Sequence, residues 1–254
     1  MAEASFWCGE AYSIGKKYEL AAEQYQGIIG ISGYSNPDIL LKARYGLGYA
    51  YYNLQQYDRA LFNFKEFVNK APRAQSNMAD GLLRLADCYY ATKLYPEALI
   101  NYRKVVQFRS VDEDYAHLQS GAILGIMRKY DEAGAEFDLI VKNYPQSRIL
   151  DEAFFQRAQL DFEQGNYATA VTGYSTLIQT KASSRFVPYA YTRRAASYFN
   201  LKEYNKTAQD YITVLENYGG HPASNDVLIP LQEALNLSGK SSDFDKYLAE
   251  FKKA

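Results

Sequence analysis

Tyr18-Glu19-Leu20-Ala21-Ala22-Glu23-Gln24-Tyr25 places an aromatic ring, an alanine and a second ring at spacings of three, four and seven. The box returns as Tyr57/Ala60/Phe64, Tyr95/Ala98/Tyr102, Tyr130/Ala133/Phe137 and Tyr167/Ala170/Tyr174. It returns once more as Tyr204/Ala208/Tyr211, with the alanine moved by one and Thr207 at its position. The leading tyrosines are separated by 39, 38, 35, 37 and 37 residues. A chain with this period stacks supersecondary units side by side instead of closing a single core.

Spacings of three, four and seven put the three residues on one stripe of an α-helix. The alanine lets a neighbouring helix approach, and the flanking rings supply most of the apolar area the contact removes from water. Each box therefore marks the second helix of a pair. Upstream of each lies a first helix with its own register positions: Gly9 and Tyr12, Gly48 and Tyr51, Ala86 and Tyr89, Gly121 and Leu124, Ala158 and Asp161, Ala195 and Tyr198. Short turns such as Gly15-Lys16-Lys17, Leu54-Gln55-Gln56 and Gln164-Gly165-Asn166 suit antiparallel helix hairpins.

Six hairpins are expected over 2–33, 37–70, 76–109, 114–144, 149–181 and 186–218. An incomplete seventh over 225–254 has a first helix at Val227–Leu237, then Phe244, Tyr247 and Phe251 at helical spacing. Connectors carry breakers and caps: Gly33 to Pro37, Ala71-Pro72, Tyr144-Pro145-Gln146-Ser147 and Gly219-Gly220-His221-Pro222. Asn36-Pro37 reads as an N-cap followed by proline at the first helical position, where a missing N–H is harmless. No flexible linker interrupts the series, so residues 1–254 are expected to form one domain.

The boxes and their partner helices resemble the tetratricopeptide repeats (TPR), and the resemblance spans nearly the whole chain. It implies an all-α fold, a right-handed superhelical solenoid of antiparallel helix pairs. The period exceeds the usual ~34 residues of that family, which is expected to lengthen helices or connectors, and most units lack its tryptophan. The connector Tyr144-Pro145-Gln146-Ser147 with Asp151-Glu152-Ala153 resembles longer-period bacterial repeats of outer-membrane assembly lipoproteins and Tol-Pal-associated periplasmic factors. It points to a bacterial periplasmic or outer-membrane-associated setting over the cytoplasm. Neither end begins or stops with the polar face that terminal repeats present, so the chain is expected to be a segment of a longer array.

The formal net charge is -1, from 28 basic and 29 acidic residues, which gives no global footprint for nucleic acid. No apolar run approaches the ~20 residues of a transmembrane helix, so direct membrane insertion is not expected. Cys8 and Cys88 fall in first helices of non-adjacent repeats and read as small core residues.

Candidate chemistry is sparse. His117 and His221 stand more than a hundred positions apart without cysteine neighbours, which offers neither a metal site nor a base for a serine nucleophile. Gly27 to Gly33 and Gly239-Lys240-Ser241 lack the strand and glycine context of a phosphate loop and read as helix terminators. No catalytic residue, cofactor or metal is assigned, and no enzyme is expected.

The family resemblance implies a concave groove lined by first helices. At the corresponding positions stand Phe6, Tyr45, Tyr49, Tyr52, Asp87, Tyr90, Phe155, Gln159, Phe162 and Phe199. Tyrosine and phenylalanine there suit recognition of a peptide or helical segment of a partner protein, although an aromatic stripe at helical spacing also serves packing between repeats. The positions where some TPR proteins grip a peptide carboxylate hold Glu10, Tyr49, Asp87, Ala122, Gln159 and Ala196, with no asparagine, so that mode is disfavoured. The expected work is that of a protein-interaction scaffold. The alternative is a structural assembly unit that self-associates through its exposed end repeats or stacks on further repeats.

Overall fold

The structure, a computed structural model, describes residues 2–34, 36–74, 76–108 and 112–251. Among these residues there are fourteen α-helices and no β-strand. They are α1 (Ala2–Ile14), α2 (Tyr18–Ile29), α3 (Pro37–Asn53), α4 (Tyr57–Lys70), α5 (Met78–Ala91), α6 (Tyr95–Val106) and α7 (Glu113–Ile126). There follow α8 (Tyr130–Asn143), α9 (Leu150–Glu163), α10 (Tyr167–Thr180), α11 (Val187–Asn200), α12 (Tyr204–Tyr218), α13 (Leu228–Leu237) and α14 (Phe244–Phe251). Short 3₁₀ turns cover Pro222–Ser224 and Ser241–Asp243.

The chain gathers into two compact units, residues 1–123 and 124–254. In the first, each helix from α1 to α6 packs on the next and α1 also touches α3. In the second, the same succession runs from α8 to α13, α9 touches α11, and α14 rests on α12 and α13.

The box explains the packing. Ala21, Ala60, Ala98, Ala133 and Ala170 are wholly buried, and so are the second rings Tyr25, Phe64, Tyr102, Phe137 and Tyr174 or nearly so. Burying each ring contributes about 1.5–3 kcal/mol. In the sixth hairpin both Thr207 and Ala208 are buried. The Thr207 hydroxyl donates back to the Glu203 carbonyl at 3.3 Å, so the substitution introduces no orphaned polar group. The small residues of the first helices make room for these rings: a Cβ on Gly9 or Gly46 would stand 2.7 or 2.6 Å from the Tyr25 ring.

Each first helix closes on one turn. Lys16, Gln55, Lys93, Arg128, Gly165 and Lys202 all have positive φ and all lie two residues before the box tyrosine. The next N–H returns to the carbonyl five residues back, as Gln56 to Tyr51 at 2.9 Å and Leu94 to Tyr89 at 2.8 Å. This is the Schellman arrangement that satisfies the last carbonyls of a helix. Turns within hairpins, such as 92–94 and 164–166, keep three residues, whereas connectors 144–149 and 181–186 have six. In those repeats the residues beyond the usual period lie in the connectors, whereas in the second hairpin the first helix α3 is itself lengthened to 17 residues. Asn36 caps α3 as its sequence implies, accepting from the N–H groups of Asp38 and Ile39 at 3.2 and 3.3 Å.

One core assignment is corrected. Cys88 is buried, but Cys8 is exposed, because the inward position of α1 is taken by Gly9 against Tyr25.

Candidate functional site

Four of the expected groove residues meet in the first unit around Arg84, a residue the groove assignment did not include. Tyr45 and Tyr49 on α3 are one helical turn apart, with rings edge to face at 5.1 Å. Both hydroxyls donate to Oδ2 of Asp80 on α5, at 2.6 and 2.5 Å. Arg84 lies one turn further along α5, its guanidinium 5.9 Å from the ring centroids of Tyr49 and Tyr52. Its Nε donates to the Tyr49 hydroxyl at 3.1 Å and its Nη1 to Asp87 Oδ2 at 2.6 Å. The other Asp87 oxygen accepts from Tyr102 at 2.6 Å and Tyr115 at 3.2 Å.

The electrostatics follow from burial. Desolvation pushes the Asp87 carboxyl above the ordinary carboxylate range, against the opposing pull of Tyr102, Arg84 and Tyr115. Burial likewise raises the Tyr49 and Tyr52 phenols to about 12. Burial, the largest influence on Arg84, works against its charge, yet Asp87, Tyr49 and Asp80 hold it firmly protonated. Even so, the Arg84 side chain keeps a quarter of its surface exposed (25%). The arrangement presents a fixed guanidinium edge between ring faces, suited to donating to a carbonyl or carboxylate oxygen.

The remaining expected residues serve packing to different degrees. Phe6 is buried in the core, its ring 6.1 Å from that of Tyr25. Tyr52, Tyr90, Phe162 and Phe199 share one local role. Each lies edge-on to the box ring across its hairpin turn, against Tyr57, Tyr95, Tyr167 and Tyr204 at 5.5–5.9 Å. In the second unit Phe155 stacks on Phe186 at 5.3 Å and Phe162 lies under Arg193 at 5.9 Å. Gln159 accepts from the Tyr174 hydroxyl at 2.9 Å and donates to Glu163 at 3.1 Å.

A rule emerges for the polar groove positions. Glu10, Asp87 and Gln159 each accept from the buried box tyrosine fifteen residues later, Tyr25, Tyr102 and Tyr174. Where the residue fifteen earlier is Tyr49 or Ala122, the box carries Phe64 or Phe137; the sixth box departs, with buried Tyr211 fifteen residues after Ala196. These polar side chains therefore satisfy hydroxyls sunk in the hairpin core. The signal that identifies Arg84 is also in the sequence: Asp80, Arg84 and Asp87 have helical spacings of four and three.

His117 is buried on α7, and His221 accepts the Ala223 N–H at Nδ1 as the cap of the Pro222–Ser224 turn. Among the described residues no cluster of three or more His, Cys, Asp or Glu could hold a metal ion, and no helix is long and apolar enough to cross a membrane.

Residues 45–113 match a family model described as tetratricopeptide repeat, and residues 152–180 match a second model of the same description. No curated protein matches the sequence. A tetratricopeptide repeat protein from Parabacteroides merdae is 15% identical, with TM-score 0.64, over 99% of this chain and 92% of its own. The C-terminal part of a TPR repeat-containing protein from Cytophaga hutchinsonii is 14% identical, with TM-score 0.65, over 96% of this chain and 99% of its own. A signal transduction ATPase with a tetratricopeptide repeat sensor from Pyrococcus horikoshii is 16% identical, with TM-score 0.72, over 99% of this chain and 41% of its own. Adjacent helix pairs pack here as in those solenoids. Tetratricopeptide repeat proteins are in general scaffolds for protein interaction.

Proposed function

We propose, from the premise that this chain is a tetratricopeptide-repeat protein, that it is a non-catalytic scaffold whose first unit holds a peptide segment of a partner protein on the face made by α3 and α5. The observation that carries this reading is Arg84: clamped by Asp87 and Tyr49, stacked on two tyrosines, and still partly exposed. A guanidinium fixed before binding loses little rotamer freedom when it donates to a partner oxygen. The half-buried rings of Tyr52 and Tyr90 on the same helices offer contact for an apolar side chain. In the second unit, Phe155, Phe162 and Phe199 supply the corresponding aromatic surface.

Selection of binding peptides from a random display library, followed by titration of the enriched peptide, tests this. Affinity is expected to fall at least tenfold with Arg84→Gln and with Tyr52→Ala, both shown by circular dichroism to remain helical. Equal affinity for the parent and both variants would sink the reading.

A second reading, an assembly unit joined through its end faces, has its own observation. Trp7 and Ile14, seven residues apart on one stripe of α1, are 68% and 83% exposed. Mass that rises with concentration in sedimentation and is restored to monomer by Trp7→Glu would favour it.

A further inference from the structure

A second surface of the first unit is formed where the second helices α2, α4 and α6 pack against the first helices α3 and α5. A cleft of about 590 Å³ opens among α2, α3 and α4. Ile29, Leu47, Tyr51 and Phe62 give it an apolar lining. Arg44 and Arg59 flank it, the first guanidinium 5.5 Å from the Phe62 ring centroid and the second 5.4 Å from that of Tyr51. Arg44 is steadied by the Asn63 side chain at 3.2 Å and Arg59 by Gln56 at 3.1 Å. Phe62 is more than half exposed (55%), so its ring is open to a ligand in the cleft.

The construction repeats one hairpin later. A cleft of about 470 Å³ opens among α4, α5 and the end of α6, over Val68, Met78 and Leu82. Arg73 stands 5.6 Å from the Phe108 ring centroid, and Lys104 completes the rim. Helix α4 is the wall the two clefts share. Four basic side chains line them against one carboxylate, Asp58, on a chain whose net charge is -1. A ring-stacked guanidinium turns its N–H edge outward, where a carboxylate can take it in bidentate fashion.

We infer that the α2–α4–α6 side of the first unit binds an acidic peptide segment of a partner protein, with one apolar side chain seated in each cleft and carboxylates on the arginines between them. Both volumes lie in the range of side-chain and small-ligand pockets. Separate apolar clefts, with Asp58 on one rim, fit anchored side chains and acidic flanks better than a continuous phosphate backbone. This surface shares helices α3 and α5 with the face proposed above but none of its side chains.

The probe is a blocked, fluorescein-labelled twelve-residue peptide repeating two glutamates and a phenylalanine, titrated by anisotropy. Its lysine counterpart and an oligothymidylate of equal length serve as competitors. Saturable binding is expected, weakened by raising salt from 50 to 300 mM and at least tenfold weaker for Arg44→Gln/Arg73→Gln. The exposed pair Arg59→Gln/Lys104→Gln, which leaves the Asn63 contact intact, is expected to lose at least tenfold as well. Arg84→Gln is expected to bind as the parent does. Failure to bind, equal binding of the lysine peptide, tighter binding of the oligothymidylate, unchanged affinity in both double variants, or an equal loss in Arg84→Gln would each overturn the inference. The last result alone would move the peptide to the α3–α5 face, so the two sites are separated by one set of variants.

Discussion

The hydroxyl of Tyr102 donates a 2.6 Å hydrogen bond to Oδ1 of Asp87, fifteen residues earlier in the same helix hairpin. The ring is wholly buried, so the hydroxyl has exchanged water for a carboxylate. A hydrogen bond to a charged acceptor contributes about 1.5–3 kcal/mol. Tyr102→Phe is expected to lower stability by about that amount in urea unfolding. Tyr211→Phe, where the residue fifteen earlier is Ala196, is expected to cost less than about 1 kcal/mol, within the range of a neutral hydrogen bond.

Asp87 should also leave a mark on the pH dependence. Its folded pKa is raised by burial, so between the unfolded and folded values the native chain binds more protons than the unfolded one. Stability from this group is therefore lost as pH rises through that interval. The stability of the parent relative to Asp87→Asn is expected to decline as pH increases from about 4, the ordinary carboxylate value. Urea midpoints for both proteins across that range check it; a difference that grows in the parent's favour with pH contradicts the assignment.

Two glycines in neighbouring helices should respond oppositely to alanine. A Cβ on Gly46 would lie 2.6 Å from the buried Tyr25 ring, whereas nothing stands within 4 Å of one on Gly27 in α2. Gly46→Ala is expected to destabilise by about 1–3 kcal/mol through overpacking. Gly27→Ala is expected to stabilise by up to about 1 kcal/mol through helix propensity. Thermal melts of the two single variants decide the matter.

The hairpin turns offer a site for stabilisation. Lys93 holds φ at 62° in a turn where Gly165 holds 77° in the fifth hairpin. A left-handed conformation costs a residue with a Cβ about 1–2 kcal/mol. Lys93→Gly is expected to raise the melting temperature and Gly165→Ala to lower it, while peptide binding on either face of the first unit stays unchanged.

Arg194 joins three helices of the second unit. Its Nε and Nη2 engage both oxygens of Asp210 on α12 at 2.8 Å, and Nη1 reaches Ser175 on α10 at 2.9 Å. Arg194→Ala would strand a buried carboxylate and is expected to cost about 3–5 kcal/mol. Arg194→Asn/Asp210→Asn, which removes both charges, is expected to recover part of that loss in the same unfolding assay.

Much of the fold was legible in the sequence because its determinants are local. The box spacing belongs to the pitch of an α-helix, and the tyrosine that opens each box also opens α2, α4, α6, α8, α10 and α12. The Asn36-Pro37 cap was equally readable, since it involves only residues two and three positions away. Cys8 was misplaced because a helix period fixes which residues share a face but leaves open which face turns inward.

The candidate site was legible only in outline. Tyr45, Tyr49, Tyr52 and Asp87 do come together, but Asp80 and Arg84, which organise them, carry no repeat signature. Whether a groove side chain is free for a partner depends on atoms far away in the chain: Asp87 is occupied by Tyr102 and Tyr115, and Tyr49 by Asp80.

The sequence by itself determined the class of the molecule, a stack of helix hairpins, because periodic apolar spacing is an intrinsic property of the backbone helix. Only the tertiary structure decided which polar groups on those helices are consumed and which remain. Hydrogen bonds between side chains fifteen to thirty-five residues apart form only once packed helices bring them within about 3 Å.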